Sequence, residues 1–549
     1  MGSRAAEARN SEPETRNSMP AAWWFLWRLV RFRPWTWFLN LWSITLLIVI
    51  AIAPGLISRE FFNHLPEAAT AADGGLLGLP GWVWGLGAFQ VLATLGQITF
   101  GFGCQLTNGP FMFEGAALLQ RNLLKRVLEL PGARALPSSP GEAISRFRED
   151  ADESPGFMMS FNDMCGFVAF AIIALVMMLR INATITLLVF LPLAVVVAVA
   201  NKARTNLDRY RRASREATGA VTGFLGEVMG AVQAIQVANA DEHVVRHFRT
   251  LNQQRLRTAV RDRVFDQLLA SVFWNTVNLG TGAILFLAGR SMQAGTFTVG
   301  DFALFSFFLG FATEFTTELG RVLAQYKKLG VSFGRMAALL GGAPPERIVE
   351  HGALYVRGEP PALSQPLRTA ADRLERLDVV DLTCRHPGSG RGIERVSFGL
   401  RRGTLTVVTG RVGAGKTTLL QALLGLLPAG SGRVVWNGVP VEDPATWFVP
   451  PRCAYTPQVP RLFSESLRDN LLLGLPPSPD ALERAQHLAV LEDDVAEMHD
   501  GLDTQVGPKG VRLSGGQVQR TAAARMFVRD PELLVFDDLS SALDVETER

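Results

Sequence analysis

Four cysteines are spread over 549 residues, at Cys104, Cys165, Cys384 and Cys453, with no paired spacing. That scatter excludes a disulfide framework and a cysteine-based zinc site, and leaves small apolar residues of the interior. Net charge is nearly absent: +3 at pH 7 gives no ground for a nucleic-acid partner. The first twenty residues have no apolar signal-peptide core, and Glu7, Glu12 and Glu14 argue against an organelle transit peptide. Gly2 follows Met1, but Ala6 stands where a myristoylation motif needs Ser or Thr. Residues 1–20 therefore read as a polar, disordered tail.

Charged residues make up only 19% of the chain against 48% apolar, and they avoid long stretches of its first part. Uncharged or nearly uncharged runs approaching the ~20 residues needed to cross a bilayer recur there. They lie at 34–58, within 74–113, at 164–179 (with Asp163 at its edge), at 181–201, at 268–289 and from about 302. Six membrane-spanning helices are expected, all within residues 21–340.

The basic residues alternate with these runs. Arg4, Arg9, Arg16, Arg28, Arg31 and Arg33 precede the first, and Arg59 alone follows it. Arg121, Lys125, Arg126, Arg134, Arg146 and Arg148 follow the second, and Arg180 stands alone after the third. Twelve basic residues fall between Lys202 and Arg263, and Arg290 alone follows the fifth run. Cytoplasmic segments retain Lys and Arg, so both termini are expected in the cytoplasm. Eight of the eleven tryptophans fall between Trp23 and Trp84. Trp23, Trp24 and Trp27 beside Arg28, Arg31 and Arg33 suggest a helix lying at the cytoplasmic interface, or an extension of the first span if Pro34 only kinks it. Glu314 and Glu318 share one face of the sixth helix. They either line a cavity that selects a cationic substrate or pair with Arg321, Lys327 and Lys328 where that helix emerges.

Residues 341–373 are rich in Pro and Gly and read as a linker, and 374–549 as a soluble α/β domain. Within it, 405–425 reads as a β-branched strand, a Gly-x-x-x-x-Gly-Lys-Thr loop and an apolar-periodic helix. The loop comprises Gly410, Arg411, Val412, Gly413, Ala414, Gly415, Lys416 and Thr417, with Thr418 next. Its glycines let backbone N–H groups curl round phosphates, Lys416 neutralises them, and Thr417 reaches Mg²⁺. Asp537, ending the apolar run Leu-Leu-Val-Phe, suits a carboxylate that holds Mg²⁺. Leu513, Ser514, Gly515, Gly516 and Gln517 open a second helix with an anion-binding N-terminus.

These motifs together closely resemble an ATP-binding cassette (ABC) domain, and the order of six spans, linker and cassette resembles an ABC exporter half-transporter. Gly141–Asp150 and Ala294–Phe305 look like exporter membrane segments. The resemblance implies an α-helical membrane domain of exporter type plus an α/β P-loop cassette, binding ATP and Mg²⁺. It implies a dimer with a second half-transporter, of the same or a different chain, in the inner membrane of a bacterium. Two cassettes would then sandwich two ATP molecules, so Ser514 and Gly516 would serve the partner's nucleotide. Gln458 matches the glutamine that touches Mg²⁺, and Asp544 the loop that crosses the cassette dimer. His386 stands where the family stacks an aromatic on adenine. Pro508 replaces a usual Glu.

Asp538 stands where the family carries the Glu that positions or deprotonates the attacking water. It is one methylene shorter, and a displacement of about 1 Å can cost on the order of a hundredfold in rate. The expectation is slow or no hydrolysis at this chain's own P-loop. That leaves two forms: a homodimer in which Asp538 serves as a base, or a degenerate, nucleotide-holding subunit of a heterodimer. All seven histidines precede Asp537, whereas the family places a switch histidine after it, so the chain reads as C-terminally truncated. Export of an amphipathic small molecule, lipid or peptide is the expected task, an importer on the same fold being a variant. Six spans exclude a cassette ATPase that transports nothing.

Overall fold

The computed structural model describes residues 20–68, 80–130, 140–356, 358, 361, 368–386, 390–507 and 511–538. Residues 189–208 and much of 269–290 are described by their backbone alone. The chain divides into two compact units: residues 1–122, 144–338 and 342–354, and residues 123–143, 339–341 and 355–549.

The first unit is built from helices. α1 (Ala22–Phe32) and α2 (Pro34–Ile50) are separate, because Arg33 leaves the helical region (φ −135°, ψ 65°) and Pro34 takes the first position of α2. Pro34 is thus a break. α1 buries Phe25, Leu26, Leu29 and Val30 on one face, with Phe25 stacked on Phe333 at 4.4 Å. Trp23 and Trp27 remain partly exposed, and the Arg28 and Arg31 guanidinium groups lie over the rings of Trp24 and Trp27. α3 (Ala53–Ala68), α4 (Gly81–Glu129) and α5 (Pro140–Ser145) follow, and a π-helical turn (Arg146–Asp150) leads into α6 (Ala151–Gly230). α6 breaks at Asn182 (φ −156°, ψ 100°), whose Oδ1 accepts from Ile185 N–H at 3.0 Å and so caps the helix that resumes. α7 (Val232–Val237), α8 (Asp241–Gln293) and α9 (Val299–Leu339) complete the unit.

Among the described residues, four helical stretches are long and apolar enough to cross a membrane: Pro34–Pro66, Gly81–Glu129, Gly141–Leu188 and Val299–Leu339. Much of the fourth and fifth expected spans lies where side chains fall outside the described residues.

An apolar cluster of this unit surrounds Phe170, Met178, Phe305 and Phe308, and a buried polar chain joins three of its helices. Asn162 donates to Asn40 Oδ1 (3.0 Å), and Asn40 donates to the Cys104 carbonyl (3.2 Å) and Thr107 Oγ1 (3.1 Å), tying α6, α2 and α4 together. Arg59 on α3 pairs with the buried Asp301 at 2.7 Å. Asp301 and Thr298 exchange backbone-to-side-chain bonds at the start of α9. Gly300 between them admits no Cβ, because the Arg59 carbonyl occupies that position. Glu318 pairs with Arg321 at 2.6 Å, and Arg321 also donates to Ser160 (3.0 Å); Glu314 is exposed.

The second unit carries an antiparallel sheet of order β2-β1-β3-β4, from β1 (Arg376–Arg385), β2 (Gly392–Arg401), β3 (Ser431–Trp436) and β4 (Val439–Pro440). Alternating residues Leu377, Val379, Leu382 and Cys384 of β1 enter the core against Val434 and Trp436. A second, parallel pair joins β5 (Cys453–Thr456) to β6 (Leu533–Phe536). Between the strands lie α10 (Lys416–Leu423), α11 (Pro444–Trp447), α12 (Leu467–Leu472), α13 (Pro479–Leu488), α14 (Glu492–Glu497) and α15 (Gly515–Phe527). α12, α13 and α15 share a core of Leu471, Leu482, Ala485, Ala523 and Ala524.

The stretch expected as linker is held at both ends. Asn122 donates to the carbonyls of Ile348 (3.0 Å) and Glu350 (2.8 Å) in the first unit. In the second, Arg368 pairs with Asp530 and Glu532, and Arg452 with Asp372 at 2.6 Å.

One expectation is corrected here. The β-branched run before the P-loop forms no strand: residues 404–410 pair with no other strand among the described residues, and Leu405 and Val407 are 91% and 72% exposed. Side-chain preference predicts a strand, but a strand exists only through a partner that takes its backbone groups.

Candidate functional site

Gly415 sits at φ 95°, ψ 18° and caps α10. The left-handed turn requires glycine, and a Cβ there would meet Ile393. Gly413, at φ 82°, makes the preceding bend. The loop 410–415 thus turns over the first N–H groups of α10, which have no carbonyl partner within the helix. Lys416 Nζ folds back to the carbonyls of Gly410 (2.9 Å) and Arg411 (3.3 Å), which places its charge within the curve of the loop.

β6 delivers the acids. Asp537 N–H bonds the Thr456 carbonyl at 3.0 Å, extending the β5–β6 ladder by one residue. Its Oδ1 accepts from Thr417 Oγ1 at 3.1 Å, while Oδ2 is buried without a partner among the described residues. A buried carboxylate oxygen with nothing to bind, beside a hydroxyl, suits a hard divalent cation, so the donors fit Mg²⁺. Burial, and then the Asp537 carboxylate, push the Tyr455 phenol above its ordinary value, so the phenol stays neutral beside the site.

Asp538 takes the left-handed conformation (φ 59°), is exposed, and accepts from Gln458 Nε2 at 3.1 Å. Asp538, expected to act on water, and Gln458, expected to touch Mg²⁺, therefore meet across 80 residues of sequence. His386 Nε2 lies 3.3 Å from Thr418 Oγ1, at the first turn of α10.

Ser514 caps α15. Its Oγ accepts from Gln517 N–H (3.2 Å), and Gln517 Oε1 accepts from Ser514 N–H (2.8 Å), a complete capping box. Ser514 and Gly515 are exposed, Leu513 half-buried and Gly516 buried. Arg525 and Arg529 donate to the carbonyls of Asn470 and Leu472, locking α15 onto the end of α12. Asp544 and Pro508 lie outside the described residues.

Sequence reasoning missed Asp494, which accepts from both Gln517 and Arg520. Its acidic neighbours carry no spacing that would single it out.

A glycine-turned P-loop, an acid strand bonded to it and a second, serine-capped helix define a nucleotide-binding domain, here carried with a helical unit of membrane-spanning composition. The ABC transporter transmembrane region matches residues 37–315 and the ABC transporter domain residues 393–541. The chain belongs to the ABC transporter family and is an exporter-type half-transporter: a multi-pass membrane protein that binds ATP and couples it to transport. It is 28% identical over 465 residues to an ATP-dependent lipid A-core flippase of Xanthomonas euvesicatoria pv. vesicatoria, covering 84% of this chain and 75% of that protein. It is 26% identical over 517 residues to the probable multidrug resistance ABC transporter YheI of Bacillus subtilis, covering 92% and 84%. A lipid A-core flippase of Bordetella avium is 26% identical over 491 residues, covering 87% and 79%.

Proposed function

We propose that this chain exports an amphipathic, lipid-like molecule from the inner membrane of a bacterium, as one half of a dimer, with slow hydrolysis at its own P-loop. Six spans with both termini cytoplasmic are the arrangement that the basic residues support. The relatives named as lipid A-core flippases and as a multidrug transporter support a substrate with apolar bulk.

The single observation that carries the ATP reading is the Thr417–Asp537 bond, with Asp537 Oδ2 left over. Lys416 and the N–H groups of residues 413–417 hold the phosphates, and His386 stacks on the base. Thr417, Asp537 and Gln458 would hold Mg²⁺, which would neutralise phosphate charge there. Asp538 orients the attacking water and accepts its proton. Its carboxylate is shorter than the usual Glu, and Gln458 holds it in the unliganded geometry. Leu513 to Gln517 face the ATP of the second half-transporter. Glu318, already paired with Arg321, contributes less to substrate choice than the exposed Glu314.

The test is ATPase activity of the full chain reconstituted in lipid. Wild type is expected to turn over slowly, Asp538→Asn to be inactive, and Asp538→Glu to gain up to about a hundredfold. A silent wild type awakened by Glu would instead identify a nucleotide-holding subunit that needs a catalytic partner.

A further inference from the structure

The helix that opens at Ser514 is anchored from outside its own segment. Asp494, in the first turn of α14, accepts from Gln517 Nε2 at 3.0 Å and from Arg520 through Nε at 2.9 Å and NH2 at 2.8 Å. The Asp494 and Arg520 side chains are only 12% and 15% exposed. Glu492 and Asp493 already supply negative charge to the start of α14, so that role does not require Asp494.

The chemistry of the Gln517 amide makes this contact directional. One end of the amide is a donor and the other an acceptor. A carboxylate accepts only, so Asp494 compels the NH₂ end to face α14. The oxygen is then left to take the Ser514 N–H, as observed. An amide at 494 could donate or accept, and would leave the Gln517 side chain free to turn over and break the capping box. Arg520 pairs with the carboxylate and balances its charge in this nearly buried place.

We propose that Asp494 is a positioning residue for the signature loop: through Gln517 it fixes how Ser514 and the N-terminus of α15 are presented to ATP held by the second cassette. This rests on the dimeric ATP sandwich proposed above. Asp494 touches no nucleotide, so its loss should weaken closure of the sandwich and leave ATP binding at this chain's own P-loop intact.

The experiment uses the full chain in lipid nanodiscs. Fluorescent MANT-ATP reports the P-loop, and electron–electron resonance between spin labels on the two cassettes reports closure as ATP is titrated. Asp494→Asn is expected to raise the half-closing ATP concentration about tenfold while MANT-ATP affinity stays within about twofold, and Asp494→Glu to recover closure to within about threefold. Closure of Asp494→Asn at the wild-type concentration overturns the proposal. So does a parallel loss of MANT-ATP binding, which would mark a residue that merely holds the cassette together. A wild type that binds MANT-ATP but never closes overturns the sandwich reading itself, and this inference with it.

Discussion

Two helix N-termini of this cassette, those of α10 and α15, are built in opposite ways. α10 begins at a glycine in the left-handed region and has no capping side chain, so its first N–H groups are left to a ligand. α15 begins at a serine whose hydroxyl is already engaged by the helix. The first is completed within the chain, by Lys416 over the loop and Asp537 behind it. The second is held rigid from behind by Gln517, Asp494 and Arg520, and presents an exposed Ser514 and Gly515. An uncapped N-terminus leaves N–H groups open to a ligand, whereas one capped and braced from behind keeps its shape in advance.

That contrast can be broken at either end. Lys416→Ala should have the largest effect: ATPase turnover falls by on the order of a hundredfold to a thousandfold, because the charge folded into the curve of the loop is lost, as steady-state phosphate release would record. Gly415→Ala comes next. A Cβ at φ 95° carries a left-handed penalty of about 1–2 kcal/mol and also meets Ile393, which thermal unfolding of the purified protein would show as a lowered midpoint. Ser514→Ala removes one cap and should cost about 1 kcal/mol by the same measurement, with P-loop nucleotide binding unchanged. The smallest effect is a non-reaction. Burial pushes the Cys453 thiol, on the strand paired with β6, up to about 12, so it stays protonated at pH 8. Site-resolved mass spectrometry after maleimide treatment should find Cys453 unmodified and a Ser514→Cys thiol labelled.

Both helix starts were legible in the sequence because they are local: glycine spacing fixes a backbone shape within eight residues, and Ser514-Gly515-Gly516 ahead of a helix marks where it opens. The Asp537 strand was legible from its apolar run. The strand expected before the P-loop was not, since Val407 and Val408 report a preference while pairing is decided by residues far along the chain. Asp494 was invisible for the same reason, lying 26 positions from Arg520 with no periodic relation to it. Pro34 was ambiguous between kink and break until the φ of Arg33 separated α1 from α2. Arg59 was counted as a sparse charge on the outer side, and nothing in its neighbourhood announced Asp301.

That pair gives α9 a fulcrum. Arg59 and the Gly300 contact pin the first turn of a 41-residue helix to α3. At 1.5 Å per residue such a helix is ~60 Å long, so a tilt of ~5° about the pinned end sweeps its far end through ~5 Å, about one helical turn. A small rotation at the pinned end is thereby returned at the other as a stroke long enough to carry a side chain from one contact to the next.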